Sequence, residues 1–396
     1  MTAREYPVFT VTPKAERSLR AGHPWVYGEE VTAVEGAYQN GDMVDVVSNK
    51  GRYLGTGWVN DHSKIRVRII SRNANDTFDE AFFRRRVCYA LNYRKTVMGP
   101  VDYRCCRLIF GEADQFPGLT VDRFENILVT QVLSLGMERR KDWVYRALVG
   151  LLREDGEQID AIYERNDVTI RTLEGLRTDL SGHVTITENG IKYDVDYIEG
   201  QKTGFFLDQK YNRQAAAKLA RGRRVLDCFT HTGAFALNAA AAGAEHVTAV
   251  DVSAFALELA AENGKRNGLT NLDYKCADVF DLLTEMAKEK KCDYDYIILD
   301  PPAFTKSRAT AKNAYHGYKE INRKAMRLLP RGGYLATCSC SHFMTDEMFR
   351  KMLQEAALDA GVTLRQIEAR QQAPDHPILP GVPETDYLKF YLLQVV

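Results

Sequence analysis

Two residues forty positions apart, Asp300 and Cys340, are of types that together can do chemistry. Asp300 ends the apolar run Tyr296-Ile297-Ile298-Leu299 and is followed by Pro301-Pro302-Ala303-Phe304. Cys340 follows Gly333-Tyr334-Leu335-Ala336-Thr337-Cys338-Ser339. Each run is short, apolar and bounded by Gly, Pro or Ser, the pattern of a buried strand. Ligands of an open α/β sheet bind outside the carboxyl ends of its strands. A thiol and a carboxylate delivered there together point to covalent chemistry on a planar ring. The plainer reading of Cys340 is a small buried hydrophobe; its place at a strand end, between serines, argues against that.

The elements that must position these residues form a regular series. From residue 211 onward, strands are expected over 224–228, 247–251, 272–276, 296–300 and 333–338. They alternate with expected helices over 234–242, 254–267, 279–288, 318–329 and 346–360, and two strands, 363–369 and 387–395, close the chain. Repeated βα units imply a mostly parallel α/β sheet with helices on both faces. This Rossmann-like domain is expected over 183–396, opened by a hairpin at 184–199 with an Asn189-Gly190 turn.

The first part of the chain reads differently. Short β segments at 43–48, 53–59 and 64–70, with no long amphipathic helix between them, predict a small β-barrel over 1–73. In the last segment Ile65, Val67 and Ile69 alternate with Lys64, Arg66 and Arg68. Period two places the three cations on one sheet face, where they can track a phosphate backbone; a solvated outer face is the plainer reading. Residues 74–182 read as an α+β middle domain, with helices at 78–98 and 141–152 and strands at 104–110, 119–123, 127–133, 161–164 and 167–171. Its turn acids, Glu112 and Asp114, show no pairing with a base and are assigned no chemistry.

Composition narrows the class. The 396 residues suit two or three domains, and 45% hydrophobic with 27% charged residues is globular. Eight cysteines without C-x-x-C spacing argue against a disulfide framework or a zinc ribbon. There is no long apolar run and no signal-peptide layout, so the expected setting is the cytoplasm, without membrane or metal. The formal charge is zero, although residues 1–110 hold 17 Lys/Arg against 12 Asp/Glu.

The first βα turn, Asp227-Cys228-Phe229-Thr230-His231-Thr232-Gly233, identifies the expected cofactor. Asp251, 24 residues after Asp227, ends the next strand, where an acid accepts from a ribose diol. A dinucleotide needs G-x-G-x-x-G to bring backbone against a pyrophosphate; this turn has one glycine and an acid. S-adenosylmethionine carries no phosphate but a sulfonium and an ammonium, which suit Asp227, with Phe229, Thr232 and Gly233 lining the turn. Asp278 is placed to accept from the adenine amine. Helix N-caps are the plainer reading of Asp227 and Asp278. The ordered set Asp227, Gly233, Asp251, Asp278, Asp300 carries more weight than any one motif.

Further motifs extend over the chain: His23-Pro24-Trp25-Val26-Tyr27, Asp122-Arg123-Phe124, and Gln201-Lys202-Thr203-Gly204-Phe205-Phe206-Leu207-Asp208-Gln209. With the Asp227, Asp300 and Cys340 motifs, the chain resembles the S-adenosylmethionine-dependent 23S ribosomal RNA cytosine-C5 methyltransferases that carry an amino-terminal PUA RNA-binding domain. The resemblance covers essentially the whole chain, and Lys202 to Gln209 is its most specific stretch. It implies a PUA barrel, an α+β linker domain and a seven-stranded class I methyltransferase sheet whose last strand is antiparallel. It also implies that Gln209 helps cover the cofactor and that ribosomal RNA is the partner; homodimerisation is left open.

On this reading the Cys340 thiolate adds to carbon 6 of the base, making carbon 5 nucleophilic, and Asp300, also at the cofactor, holds a proton for N3. Pro301 and Pro302 direct the chain and offer carbonyls to the base amino group, Phe304 stacks on a displaced base, and the nucleotide must be unpaired or flipped. The sequence departs from some RNA cytosine methyltransferases in having Ala303, where they place a second cysteine beside the proline. Two rivals remain: guanine N-methylation through Asp300-Pro301-Pro302 without a cysteine, and a non-catalytic RNA-binding assembly factor.

Overall fold

The computed structural model describes residues 5–165, 183–196, 204–289, 292–305 and 307–396. They fall into two compact units, one of Met1–Val184, Val195–Leu207 and Pro374–Thr385, the other of Thr185–Asp194, Asp208–Ala373 and Asp386–Val396.

The first unit begins with six strands, β1 (Val8–Val11), β2 (Trp25–Tyr27), β3 (Val31–Glu35), β4 (Met43–Ser48), β5 (Tyr53–Val59) and β6 (Ile65–Ser71), in the order β2-β6-β5-β4-β1-β3. Period two holds in β6. Val67 and Ile69 are buried among Phe9, Val26, Val44 and Val59, while Arg66 and Arg68 are half-buried and Lys64 is exposed just before the strand. The sequence reading missed β1 to β3 and the helix Pro13–Arg20, which Thr12 caps by accepting from the Ala15 amide at 3.3 Å. The helix is amphipathic, with Ala15 and Leu19 buried.

The same unit holds a second sheet, ordered β10-β9-β8-β7, of β7 (Cys105–Phe110), β8 (Leu119–Phe124), β9 (Ile127–Val132) and β10 (Ala161–Glu164). The helix Glu80–Val97 packs on β7 and on the helix Lys141–Glu154. The strand expected at 167–171 lies outside the described residues. The turn acids do have partners. Asp114 takes both terminal nitrogens of the fully buried Arg94, at 2.5 and 2.7 Å, and Glu112 accepts from the Trp25 indole at 3.0 Å. The segment Pro374–Thr385, expected with the carboxyl-terminal domain, belongs to this unit. Arg94 donates to the Asp375 carbonyl, and the Asp375 carboxylate accepts from the Arg107 amide, both at 2.9 Å.

The hairpin forms as expected between β11 (His183–Glu188) and β12 (Ile191–Asp196), with both Asn189 and Gly190 at positive φ; residues 197–199 lie outside the described residues. The large sheet contains β13 (Arg224–Cys228), β14 (His246–Asp251), β15 (Leu272–Cys276), β16 (Tyr296–Leu299), β17 (Tyr334–Ser339), β18 (Leu364–Arg370) and β19 (Lys389–Val395). Its order is β15-β14-β13-β16-β17-β19-β18; β13 to β17 are parallel, and β19 runs antiparallel to both neighbours. Alternate residues feed two apolar layers: Leu226, Ile297, Leu299 and Leu335 face Tyr318 and Phe349, while Val225, Ile298, Ala336 and Cys338 face Phe235 and Phe390. The helix expected at 318–329 starts earlier, spanning Ala311–Leu328. Strand order reverses between β13 and β16, which opens a crevice at their carboxyl ends.

Candidate active site

The turn after β13 is strained. Phe229, His231 and Gly233 have φ of 64°, 53° and 82°, a conformation rarely adopted by a residue as bulky as Phe229. The edge of β14 holds it there. The Thr230 amide donates to the Val250 carbonyl and the His231 amide to Asp251 Oδ2, both at 2.9 Å. Gly233 is needed twice over, for its φ and because a Cβ would lie 3.0 Å from that of Ala260. Thr232 is buried, while Phe229 packs on the apolar layer that includes Leu226.

Asp227 is fully buried in β13. Its Oδ2 accepts from the Thr230 hydroxyl at 2.5 Å, and Oδ1 has no hydrogen-bond partner. Burial pushes its carboxyl up to about 7; the Thr230 bond opposes this, and the Asp300 charge adds to it. Asp251 accepts from His231 and, through Oδ1, from the Ser253 amide at 2.9 Å. Asp278 is exposed and caps the helix Val279–Glu289, taking the Asp281 amide at 3.1 Å. The plainer reading therefore accounts for one of its oxygens.

Asp300 stands just past β16. Its Oδ1 accepts from Gln209 Nε2 and from the Cys338 thiol, each at 3.1 Å, while Oδ2 has no partner among the described residues. Burial pushes the Asp300 carboxyl up, against the hydrogen bonds it receives. Gln209 is only 3% exposed and its Oε1 accepts from Asn212 at 2.7 Å, so its amide is fixed toward the acid. Residues 201–203 of its motif lie outside the described residues.

Cys340 follows β17, half-buried rather than walled into the core, with Sγ 4.0 Å from the Pro301 carbonyl oxygen. The fold thus brings the thiol and the Asp300-Pro301 segment together. Pro301 is buried and Pro302 exposed. Phe304 already packs against Tyr318, with ring centroids 4.5 Å apart, and against Phe280 at 5.7 Å. In the first unit Arg66 pairs with Asp61 at 2.9 Å and donates to the Tyr38 hydroxyl at 3.1 Å, so it is already engaged.

Residues 163–393 match the model of the S-adenosylmethionine-dependent methyltransferase family, and residues 9–72 that of the PUA-like domain. The chain belongs to the S-adenosylmethionine-dependent methyltransferase family. Relatives of this methyltransferase include the ribosomal RNA large subunit methyltransferase I of Shewanella denitrificans, 43% identical over 97% of this chain and 98% of that one. The protein of the same name from Pseudoalteromonas atlantica is 40% identical over 98% of this chain and 99% of that one. A Streptococcus mutans structure described as a SAM-dependent methyltransferase superposes with a TM-score of 0.80 at 23% identity, covering 98% of this chain and 100% of that one. A methyltransferase structure in complex with SAH gives 0.81 at 22%, with the same coverage. At those identities the two structures speak for the fold.

The methyltransferase is thus an enzyme whose cofactor is S-adenosylmethionine. Its residues fit that cofactor. The buried, unpartnered Asp227 Oδ1 calls for a cationic group, and a pyrophosphate there would be repelled. Two residues near Cys340 escaped the sequence reading. In the sequence Cys338 stands only as part of a strand run, and its bond to Asp300 joins two elements that no local spacing connects. Lys389 resembles any polar start to a strand, yet it is 4% exposed, and its ammonium donates to the Ser341 carbonyl at 2.6 Å. A lysine directly ahead of the apolar run Phe390 to Leu393 was the available signal.

Proposed function

We propose that this methyltransferase methylates C5 of a cytosine in large-subunit (23S) ribosomal RNA through a covalent bond between Cys340 Sγ and C6 of the base. The observation that carries this reading is the half-buried Cys340 thiol facing the Pro301 carbonyl, one residue from Asp300. The names of the full-length relatives and the PUA-like module support the RNA class. The sheet end and the strained turn supply the cofactor side, with Asp227, Phe229, Thr232, Gly233, Asp251, Asp278, Gln209 and Asp300 as the residues that hold it. Bound S-adenosylmethionine supplies the electrophilic methyl group.

The chain's own part begins with the thiolate. Cys340 gives its electron pair to C6, the C5–C6 π pair moves into the ring, and N3 takes a proton from Oδ2 of Asp300, whose carboxyl is pushed up by burial. C5 is then enamine-like and bonds the incoming methyl carbon. Release of the C5 proton to solvent, return of the N3 proton to Asp300 and return of the C6–S pair to sulfur restore the neutral aromatic base, the acid and the thiolate. Pro301 and Pro302 present carbonyls toward the base amino group. Lys64, Arg66 and Arg68 of the PUA-like sheet contribute positive charge toward the RNA backbone. The division into domains 1–73, 74–182 and 183–396 remains our proposal, and a cytoplasmic setting accords with an RNA substrate.

Nucleoside mass spectrometry of rRNA from a deletion strain, complemented with wild type or Cys340→Ala, tests the reading. We expect one 5-methylcytidine to disappear and to return only with the wild-type gene. Return with Cys340→Ala would sink the covalent mechanism and favour a nitrogen target. Unchanged rRNA in the deletion strain would favour an assembly role.

A further inference from the structure

Lys389, the first residue of β19, lies opposite Ser339 of β17 in the antiparallel register and is buried. Its ammonium donates to the carbonyl oxygens of Ser341 at 2.6 Å and Tyr387 at 2.8 Å. Among the described residues it makes no ion pair, and its third N–H is uncommitted. Other partly buried lysines are treated differently: Lys141 sits between Glu138 and Glu164, and Lys319 between Glu355 and Asp359. A buried ammonium without an acid is costly and is retained where its charge is used.

The carbonyl that Lys389 grips belongs to the residue after Cys340. The Ser341 hydroxyl in turn donates to the Thr305 carbonyl at 3.0 Å, in the segment following Pro301-Pro302. The turn bearing the thiol is therefore clamped between β19 and the proline segment. We infer that Lys389 is the positioning residue for Cys340: it fixes the turn that aims Sγ at the Pro301 side, and its ammonium supplies the positive charge that holds the thiolate.

Burial pushes Lys389 down to about 8, while the charges facing it, Asp386, Cys340 and Asp346, act in the opposite direction. Cys338 and the Tyr318 hydroxyl are further titratable groups near the thiol, and neither brings a positive charge. Lys389 is a cation that the start of β19 brings to the thiol. The inference rests on Cys340 as the nucleophile, as proposed above, and is tested by a readout that does not require methyl transfer.

The readout is iodoacetamide alkylation of the full chain between pH 5.5 and 10, resolved by peptide mass spectrometry, with the exposed Cys276 as internal reference. In wild type we expect the Cys340 midpoint at least about one pH unit below that of Cys276. Lys389→Met should raise the Cys340 midpoint by about one unit and slow its labelling near pH 7 about tenfold, leaving Cys276 unchanged, and Lys389→Arg should restore most of the difference. Equal midpoints for the two thiols in wild type would overturn the inference without any variant, as would an unchanged Cys340 midpoint in folded Lys389→Met. Retained methylation by Cys340→Ala would instead remove the nucleophile assignment while leaving the lysine–thiol coupling measurable. The two failures are therefore distinct.

Discussion

Buried charged groups are handled in opposite ways at two places, Arg94 in the first unit and the strand ends of the second. In the first, Arg94 is fully buried and every part of its guanidinium is engaged: Nε donates to the Arg107 carbonyl at 2.8 Å, and the terminal nitrogens hold Asp114 and the Asp375 carbonyl. In the second, at the carboxyl ends of β13 and β17, partners run short. Asp227 Oδ1 has none, and Lys389 has carbonyls but no acid. Arg94 serves the fold and has its partners; Asp227 is left short for a ligand, and Lys389 for the Cys340 thiolate. The contrast predicts which substitutions damage stability and which damage function.

Cys340→Ala should have the largest effect. Removing a covalent nucleophile should lower the rate of methyl transfer on the order of 10⁴-fold, with cofactor binding retained. Single-turnover assays with radiolabelled cofactor and an rRNA fragment measure the first, calorimetry the second. A loss of less than tenfold would remove the thiol from the group of functional residues.

Arg94→Met is its structural counterpart. It leaves Asp114 buried without its cation, which should cost about 3–5 kcal/mol. All three tryptophans, Trp25, Trp58 and Trp143, lie in the first unit, so indole fluorescence during urea unfolding reads that unit alone. A loss below about 1 kcal/mol would break the comparison, because a fully partnered buried cation would then be dispensable.

How far the sequence reveals this division depends on range. Period two in Ile65, Val67 and Ile69 and the repeated βα units from 224 onward are local patterns, and the structure carries both. Strands β1 to β3 are only three to five residues long, too short for a period to register. The first turns of the helix Ala311–Leu328 are polar and include Gly317, so the apolar pattern that marks a helix begins only at Tyr318. Asp300 and Cys340 were readable as strand-end residues. Their bonds were not: Gln209 reaches Asp300 across 91 positions, and Arg94 reaches Asp375 across 281. Such pairs are created by topology, and no local spacing encodes them.

Asp227 gives a prediction of intermediate size. Its carboxyl, pushed up to about 7, must lose a proton before it can face a cationic ligand. S-adenosylmethionine affinity should therefore rise about tenfold per pH unit from 5.5 to 7 and level off above. For the ligand-free chain the sign is the reverse. The folded state keeps a proton that the unfolded state releases near the ordinary 3.8, so stability falls as pH rises toward 7. Asp227→Asn should flatten the affinity profile and weaken binding at pH 8. A pH-independent wild-type affinity would mean that the unpartnered oxygen faces no charge.

The smallest stability effect is expected at Lys389, where the comparison is sharpest. Moving its ammonium from the ordinary 10.5 to about 8 corresponds to roughly 3 kcal/mol of unfavourable burial at neutral pH. Lys389→Met removes that term but leaves the Ser341 and Tyr387 carbonyls without a donor, at about 1–3 kcal/mol each. The two largely offset, so hydrogen exchange in β17 and β19 should change by no more than about 3 kcal/mol at pH 7. The pH dependence separates the terms. Wild type should gain stability between pH 8 and 10.5, where the folded lysine has already lost the proton that the unfolded chain still holds, and the variant should lack that gain. Arg94→Met, by contrast, should remain destabilised throughout that range. If Lys389→Met instead lost as much stability as Arg94→Met while Cys340 kept its reactivity, Lys389 would belong with Arg94 among the groups that only hold the fold.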